Sequence, residues 1–229
     1  MPRARRPQST VVLFVRHGET PTTGKHLPGR APGLHLSEHG RDQAKRVAEA
    51  IAAPGAVAAI YTSPLERTRQ TAQAIADATG LDVHTVPDLV DLDIGDWTGM
   101  ELKAAAKLPE WRTVQRFPSV FRFPGGESFV DLQGRMLGVV ERLVRDHPGE
   151  TVVAVSHADP IRITVAAALG VPLDLFQRLM VAPCSVSAVA YGQDGAAVLC
   201  VNSTADGLPV PRPPAKPKPK SKPVGRRRS

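Results

Sequence analysis

Cysteine is scarce in this 229-residue chain: Cys184 and Cys200 are the only two, and they form neither a metal-binding spacing nor a disulfide framework. Reduced thiols, as in a cytosolic protein, are the expectation. The seven histidines include no HExxH pair, so no zinc site is written in the sequence. No run of about 18 apolar residues occurs, which excludes a conventional membrane-spanning helix. The opening MPRARRPQST is basic but lacks the apolar stretch of a secretory signal. A soluble, cytoplasmic protein is therefore expected. Aromatic residues make up only 4%, which argues against a base-stacking surface for nucleic acid. Against these absences stands a hydrophobic content of 42%, enough to bury a core and incompatible with disorder throughout.

The net charge of +7 is concentrated at the ends of the chain. Residues 1–10 carry three arginines and residues 210–229 carry eight lysines or arginines, with no acid in either stretch; removing them leaves −4 for residues 11–209. The stretch LPVPRPPAKPKPKSKPVGRRRS interleaves proline with lysine, which blocks helical and ladder hydrogen bonding and favours an extended, solvated chain. The expected organisation is a flexible basic N-terminus over 1–9, one domain over 10–205 and a disordered tail over 206–229. The tail is either a solubilising appendage or a loose, sequence-blind contact for a polyanion such as RNA, DNA or anionic lipid. Oligomeric state is not legible.

Within the domain, strand-like and helical patterns alternate. Residues 10–16 (TVVLFVR) read as a strand, and 37–53 as a helix with Ala44, Val47, Ala48 and Ile51 on one face. A second strand spans 56–62, followed by a helix over 64–79 in which Ser63 is the N-cap, Pro64 the first helical residue and Glu66 the partner of a capping box. A short strand follows over 81–86, then polar helical pieces near 101–107 and 109–116. A helix of about twenty residues then opens at a Ser128–Asp131 cap pair and ends near His147. Residues 151–156 (TVVAVS) form the fourth strand, ahead of a helix capped and begun by Asp159-Pro160. Residues 185–191 and 196–201 form a closing hairpin around Gln193-Asp194-Gly195. This alternation predicts an α/β fold: a three-layer α/β/α sandwich with a mostly parallel central sheet and an antiparallel edge. Function belongs at the carboxyl ends of the strands.

Three predicted strand ends carry charge: Arg16-His17-Gly18-Glu19-Thr20, Ser63-Pro64-Leu65-Glu66-Arg67 and Ser156-His157. Two guanidinium forks suit the oxygens of a phosphoryl group. A neutral imidazole can attack phosphorus in line if its other nitrogen is held by a backbone carbonyl, giving a phosphohistidine that water hydrolyses, with no metal required. Gly18 would let the backbone approach the ligand, and the N-terminus of the helix after Ser63 would add its dipole.

RHGET at 16–20, SPLERTRQTA at 63–72 and the SH at 156–157 together resemble the histidine phosphatase superfamily, or phosphoglycerate mutase-like fold, over roughly residues 10–202. TTGKHLPGRAPGLHLSEHG and WRTVQRFPSVFRFPGGES further resemble a bacterial subgroup named only for phosphomutase or phosphatase activity. The resemblance implies that His17 accepts the phosphoryl group and that Arg16, Arg67 and His157 complete its pocket. It also implies that Asp91 donates the proton, at a position where the family normally has Glu, with Asp93 in reserve. Gly18, Thr20, Thr23 and Gly24 become substrate-binding candidates; Thr23 stands where Asn is common and Thr98 where Glu is common.

Other polar residues have plainer readings. His35 and His39 lack a carboxylate partner for a metal, Arg69 points to another helix face than Arg67, and Arg162 is a pocket-rim contact or a surface charge. Trp97 and Trp111 are core anchors or pocket walls, and Gly125-Gly126-Glu127-Ser128 is a loop and cap or a flexible wall of the substrate mouth. The expected activity is hydrolysis of a small phosphomonoester, without cofactor or metal. A phosphomutase and a weakly catalytic phospholigand-binding protein are the alternatives. A mutase needs a closed basic cover, for which Lys103, Lys107, Arg112, Arg116 and Arg122 are available on a short segment.

Overall fold

A computed structural model of the chain describes residues 9–53 and 57–205. The expected N-terminal arm up to residue 8, Ala56 at the start of the second strand and the basic tail lie outside the described residues. Six strands and six α-helices follow in the order β1 (Thr10–Arg16), α1 (Glu38–Ala52), β2 (Val57–Thr62), α2 (Glu66–Thr79), β3 (Val83–Thr85), α3 (Leu102–Ala105), α4 (Trp111–Arg116), α5 (Phe129–Asp146), β4 (Thr151–Ser156), α6 (Ala158–Ala168), β5 (Val186–Gly192) and β6 (Gly195–Ser203). The sheet order is β3-β2-β4-β1-β5-β6. The first four strands in that order are parallel, and β5 and β6 add the antiparallel edge.

Alternation along the central strands feeds two cores. Val12, Phe14, Val152 and Ala154 pack with Phe129, Leu132, Met136, Val139 and Leu143 of α5 and with α6 on one face. Val15, Ile60, Val153 and Val155 pack on the other face with Ala44, Val47, Ala48 and Ile51 of α1 and Ala72, Ile75 and Ala76 of α2. Each large apolar side chain so buried contributes roughly 1.5–3 kcal/mol. Trp97 is a core anchor, stacked on Trp111 and packed edge-on against Phe123.

Two helix starts differ from the sequence expectation. α2 begins at Glu66, its N-cap Leu65 makes no side-chain capping bond, and Ser63 is fully buried. The predicted capping box fails because both of its side chains are used elsewhere: the Ser63 hydroxyl is 2.8 Å from His157 Nε2, and Glu66 Oε1 accepts the Gly33 N–H at 3.0 Å. α6 begins at Ala158 with His157 as its N-cap; Asp159 lies inside the first turn and pairs with Arg162 at 3.0 Å instead of capping. The Ser128–Asp131 box, by contrast, is fully formed, and Ser37 caps α1 by accepting the Gly40 N–H.

Two close backbone approaches fix the loops around the strand ends. A Cβ on Gly40 would overlap the Glu19 carbonyl and one on Gly18 would overlap Gly40, so the first turn of α1 sits directly on the turn that follows β1. On the opposite side, a Cβ on Gly126 would overlap the Asp93 carbonyl oxygen, which binds the segments around Asp93 and Glu127 to each other.

Candidate active site

Strand register assembles the site. Arg16 pairs with Ser156 and Thr62 with Val155, so the residues that follow β1, β2 and β4 emerge side by side at one edge of the sheet. The His17 N–H donates to the Ser156 carbonyl at 3.0 Å and the Ser63 N–H to the Val155 carbonyl at 3.0 Å.

His17 is buried, and its Nδ1 lies 2.7 Å from the Gly18 carbonyl oxygen. A carbonyl can only accept, so Nδ1 carries the ring proton and Nε2 keeps a lone pair. Burial, followed by the charges of Arg16 and Arg67, holds this imidazole well below the ordinary histidine range. It is therefore neutral at neutral pH, as a nucleophile requires. His157 lies with its ring centroid 5.2 Å from that of His17 and is likewise held low, by burial and then by Arg67. Ser63 Oγ accepts the Leu65 N–H at 3.4 Å and lies 2.8 Å from His157 Nε2; the tautomer with the hydroxyl as donor in that contact carries the imidazole proton on Nδ1.

The two arginines arrive from different elements. Arg67, in the first turn of α2, is fully buried; its Nη2 donates to the Gly29 carbonyl at 2.8 Å and lies 3.4 Å from Asp91 Oδ2. Arg16 Nη1 donates to the Val181 carbonyl at 2.7 Å. Arg67 Nε and Nη1, Arg16 Nε and His157 Nδ1 are buried and make no hydrogen bond among the described residues. Buried N–H donors without acceptors are costly, so three on two cations beside an unpartnered imidazole nitrogen make a pocket suited to an anion.

Asp91 closes the ring. Its Oδ2 lies 3.6 Å from His157 Nδ1 as well as close to Arg67, and its Oδ1 accepts the Leu92 N–H at 2.9 Å. Burial outweighs the attraction of Arg67, and with the nearby Asp159 charge it pushes this carboxyl up to about 6. An acid of that strength keeps a proton to donate at mildly acidic pH. Asp93 is engaged otherwise: one oxygen accepts the Gly95 N–H at 3.1 Å and the other is 3.3 Å from Arg30 Nη1.

The structure thus brings Arg16, His17, Arg67, His157 and Asp91 together. The remaining sequence candidates form the adjoining turn. Gly18 donates its N–H to Thr71 Oγ1 at 3.1 Å, Thr20 takes Thr23 Oγ1 as its backbone acceptor at 2.9 Å, and Gly24 holds the left-handed conformation. Arg69 is exposed, His35 contacts Gln70 and His39 contacts Gln43. Sequence reasoning missed Ser63 as a partner of His157, and it missed Arg30 and Arg135, which hold the backbone of Asp91. It placed Glu127 in a loop without a role for its side chain. Only the setting of Glu127 after a Gly-Gly pair and ahead of a capped helix marks the segment, and nothing local signals a partner so far away in sequence.

Comparison with known proteins agrees with this geometry. The family model described as the histidine phosphatase superfamily, branch 1, matches residues 12–204. Phosphoserine phosphatase 1 of Hydrogenobacter thermophilus is 37% identical over 170 residues, covering 72% of this chain and 79% of that protein. A bifunctional protein of Mycobacterium tuberculosis is 36% identical over 199 residues, 85% of this chain; the match spans 54% of that protein's length, about half. Among solved structures, mycobacterial glucosyl-3-phosphoglycerate phosphatase in complex with VO3 superposes with a TM-score of 0.76 at 29% identity, over 85% of this chain and 99% of that one. With a matching family model over most of its length, the chain belongs to branch 1 of the histidine phosphatase superfamily and has its phosphoglycerate mutase-like α/β fold.

Proposed function

We propose that the protein is a phosphatase that hydrolyses a small phosphomonoester through a phosphohistidine on His17. The observation that carries the reading is the set of four buried, unpartnered nitrogens on Arg67, Arg16 and His157, three of them guanidinium donors, around a neutral His17. In this reading His17 Nε2 attacks phosphorus, and Arg16, Arg67 and His157 Nδ1–H stabilise charge on the equatorial oxygens. Asp91 gives its proton to the departing alkoxide, and as a carboxylate it then takes one from the water that attacks phosphorus and releases phosphate from His17. The chemistry calls on no metal or cofactor. The names of similar proteins support a phosphorylated small molecule, phosphoserine phosphatase and glucosyl-3-phosphoglycerate phosphatase among them.

A mutase must shield its phosphoenzyme from water. Lys103, Lys107, Arg112, Arg116 and Arg122 are all exposed, and Arg122 is tied to Asp131 at 2.6 Å, which favours hydrolysis over isomerisation. The test is steady-state release of phosphate from an aryl phosphate in excess EDTA, with the wild-type chain and with His17→Ala. Turnover that disappears in the variant is the expected result. Turnover that survives in His17→Ala overturns the reading, and isomerised product without free phosphate replaces it with a mutase.

A further inference from the structure

The segment that carries Asp91 has no regular secondary structure, yet its position is fixed by charge from two distant places. Arg135, near the start of α5, donates through Nη1 to the Asp88 carbonyl at 2.5 Å and the Val90 carbonyl at 3.0 Å, and through Nη2 to the Asp91 carbonyl at 3.4 Å. Arg30, from the loop after β1, donates through Nε to that same Asp91 carbonyl at 2.9 Å. Glu127 Oε1 joins the two: Arg135 Nη2 lies 2.7 Å from it, Arg30 Nη2 3.1 Å, and the Asp93 N–H donates to it at 3.0 Å. Glu127 and Arg135 are 16% and 15% exposed, so their attraction is little screened by solvent. Arg30 stands beside Gly29, whose carbonyl accepts from Arg67, so the clamp also reaches the phosphate-facing guanidinium through one peptide unit.

We propose that Glu127, Arg30 and Arg135 form a clamp whose function is to position the Asp91 carboxyl for proton transfer; this rests on Asp91 as the donor in the reading above. Two guanidinium groups grip the peptide that carries the acid, and one shared carboxylate keeps both of them oriented. None of the three touches the reacting atoms: they are positioning residues. An acid located within a few tenths of an ångström of the leaving oxygen matters for alkoxide leaving groups, which need a proton, and hardly at all for nitrophenolate, which does not.

The readout is therefore a ratio. The kcat/KM of an alkyl phosphate, glycerol 2-phosphate, is divided by that of 4-nitrophenyl phosphate on the same preparation of Arg30→Met, Glu127→Gln or Asp91→Asn, which isolates the step that forms the phosphohistidine from its later hydrolysis. The ratio does not depend on what fraction of a preparation is folded, so a destabilised variant remains as informative as a stable one. Arg30, 34% exposed, is the member whose replacement disturbs packing least. The expected result is a fall in the ratio of about ten-fold or more in Arg30→Met and Glu127→Gln, in the same direction as Asp91→Asn. An unchanged ratio in both clamp variants beside a lowered one in Asp91→Asn overturns the clamp and leaves the donor in place. An unchanged ratio in all three overturns the clamp together with the role of Asp91, while dependence of turnover on His17 is measured separately.

Discussion

At the scale of single residues, burial does opposite things to the proposed nucleophile and the proposed proton donor. It keeps His17 neutral, with the charges of Arg16 and Arg67 adding to the effect, and it holds a proton on Asp91 because there the loss of hydration outweighs the attraction of Arg67. The consequence for pH is direct. Above about 6 Asp91 loses its proton while His17 stays neutral, so kcat/KM for alkyl phosphates falls as pH rises through about 6, and kcat/KM for 4-nitrophenyl phosphate does not follow it. Asp91→Asn is expected to lower kcat/KM for alkyl phosphates by about a hundred-fold and to flatten that limb, with little effect on kcat/KM for the aryl ester, because kcat/KM reports only formation of the phosphohistidine. Parallel pH profiles for the two esters in the wild-type chain would contradict the assignment. The residues of this ring were largely legible in the sequence, because His17, Arg67 and His157 each follow a strand within a short, dense motif. The clamp was not. Arg30 lies 61 residues and Arg135 44 residues from Asp91, and an arginine that binds a carbonyl leaves no local pattern.

At the scale of elements, the site is a property of register and of helix starts. Parallel pairing of β1 with β4 puts His17 beside His157, and the diversion of Ser63 from capping α2 to His157 is a tertiary contact overriding local capping preference. That diversion explains why the expected box at 63–66 failed while the box at 128–131 formed: both have the right residue types, but Ser63 and Glu66 are turned to other partners, whereas Asp131 Oδ2 accepts the Ser128 N–H while also pairing with Arg122. The first turn of α1 has a matching role. Ser37 donates its N–H and its hydroxyl to the Glu19 carbonyl at 2.9 and 3.2 Å, and Gly40 lies against the same peptide. Gly40→Ala forces a Cβ onto that backbone, so a loss of roughly 1–3 kcal/mol in denaturant melts is expected, with reduced turnover from displacement of the turn beyond His17. A variant as stable as the parent would show that α1 can retreat without cost.

At the scale of the whole molecule, a mildly acidic domain is joined to strongly basic ends. No helix among the described residues is long and apolar enough to cross a membrane. If the basic residues beyond 205 bind polyanions, the full chain is retained on a polyanion column in a salt-dependent way and a chain ending at Ala205 is not. Equal retention of the two would move the contact onto the domain. The alternation of strands and helices made the three-layer fold legible, including its antiparallel edge, because buried strands and amphipathic helices impose different periods on the sequence. The proposed chemistry as a whole runs through one covalent intermediate. The measurement that tests it most directly is rapid quenching of the wild-type chain with labelled substrate into alkali, followed by mapping of the label. The prediction is acid-labile, alkali-stable phosphate on His17, formed and lost at the rate of turnover and absent from His17→Ala. Label on another residue, or turnover with no phosphoenzyme at any time, would contradict it.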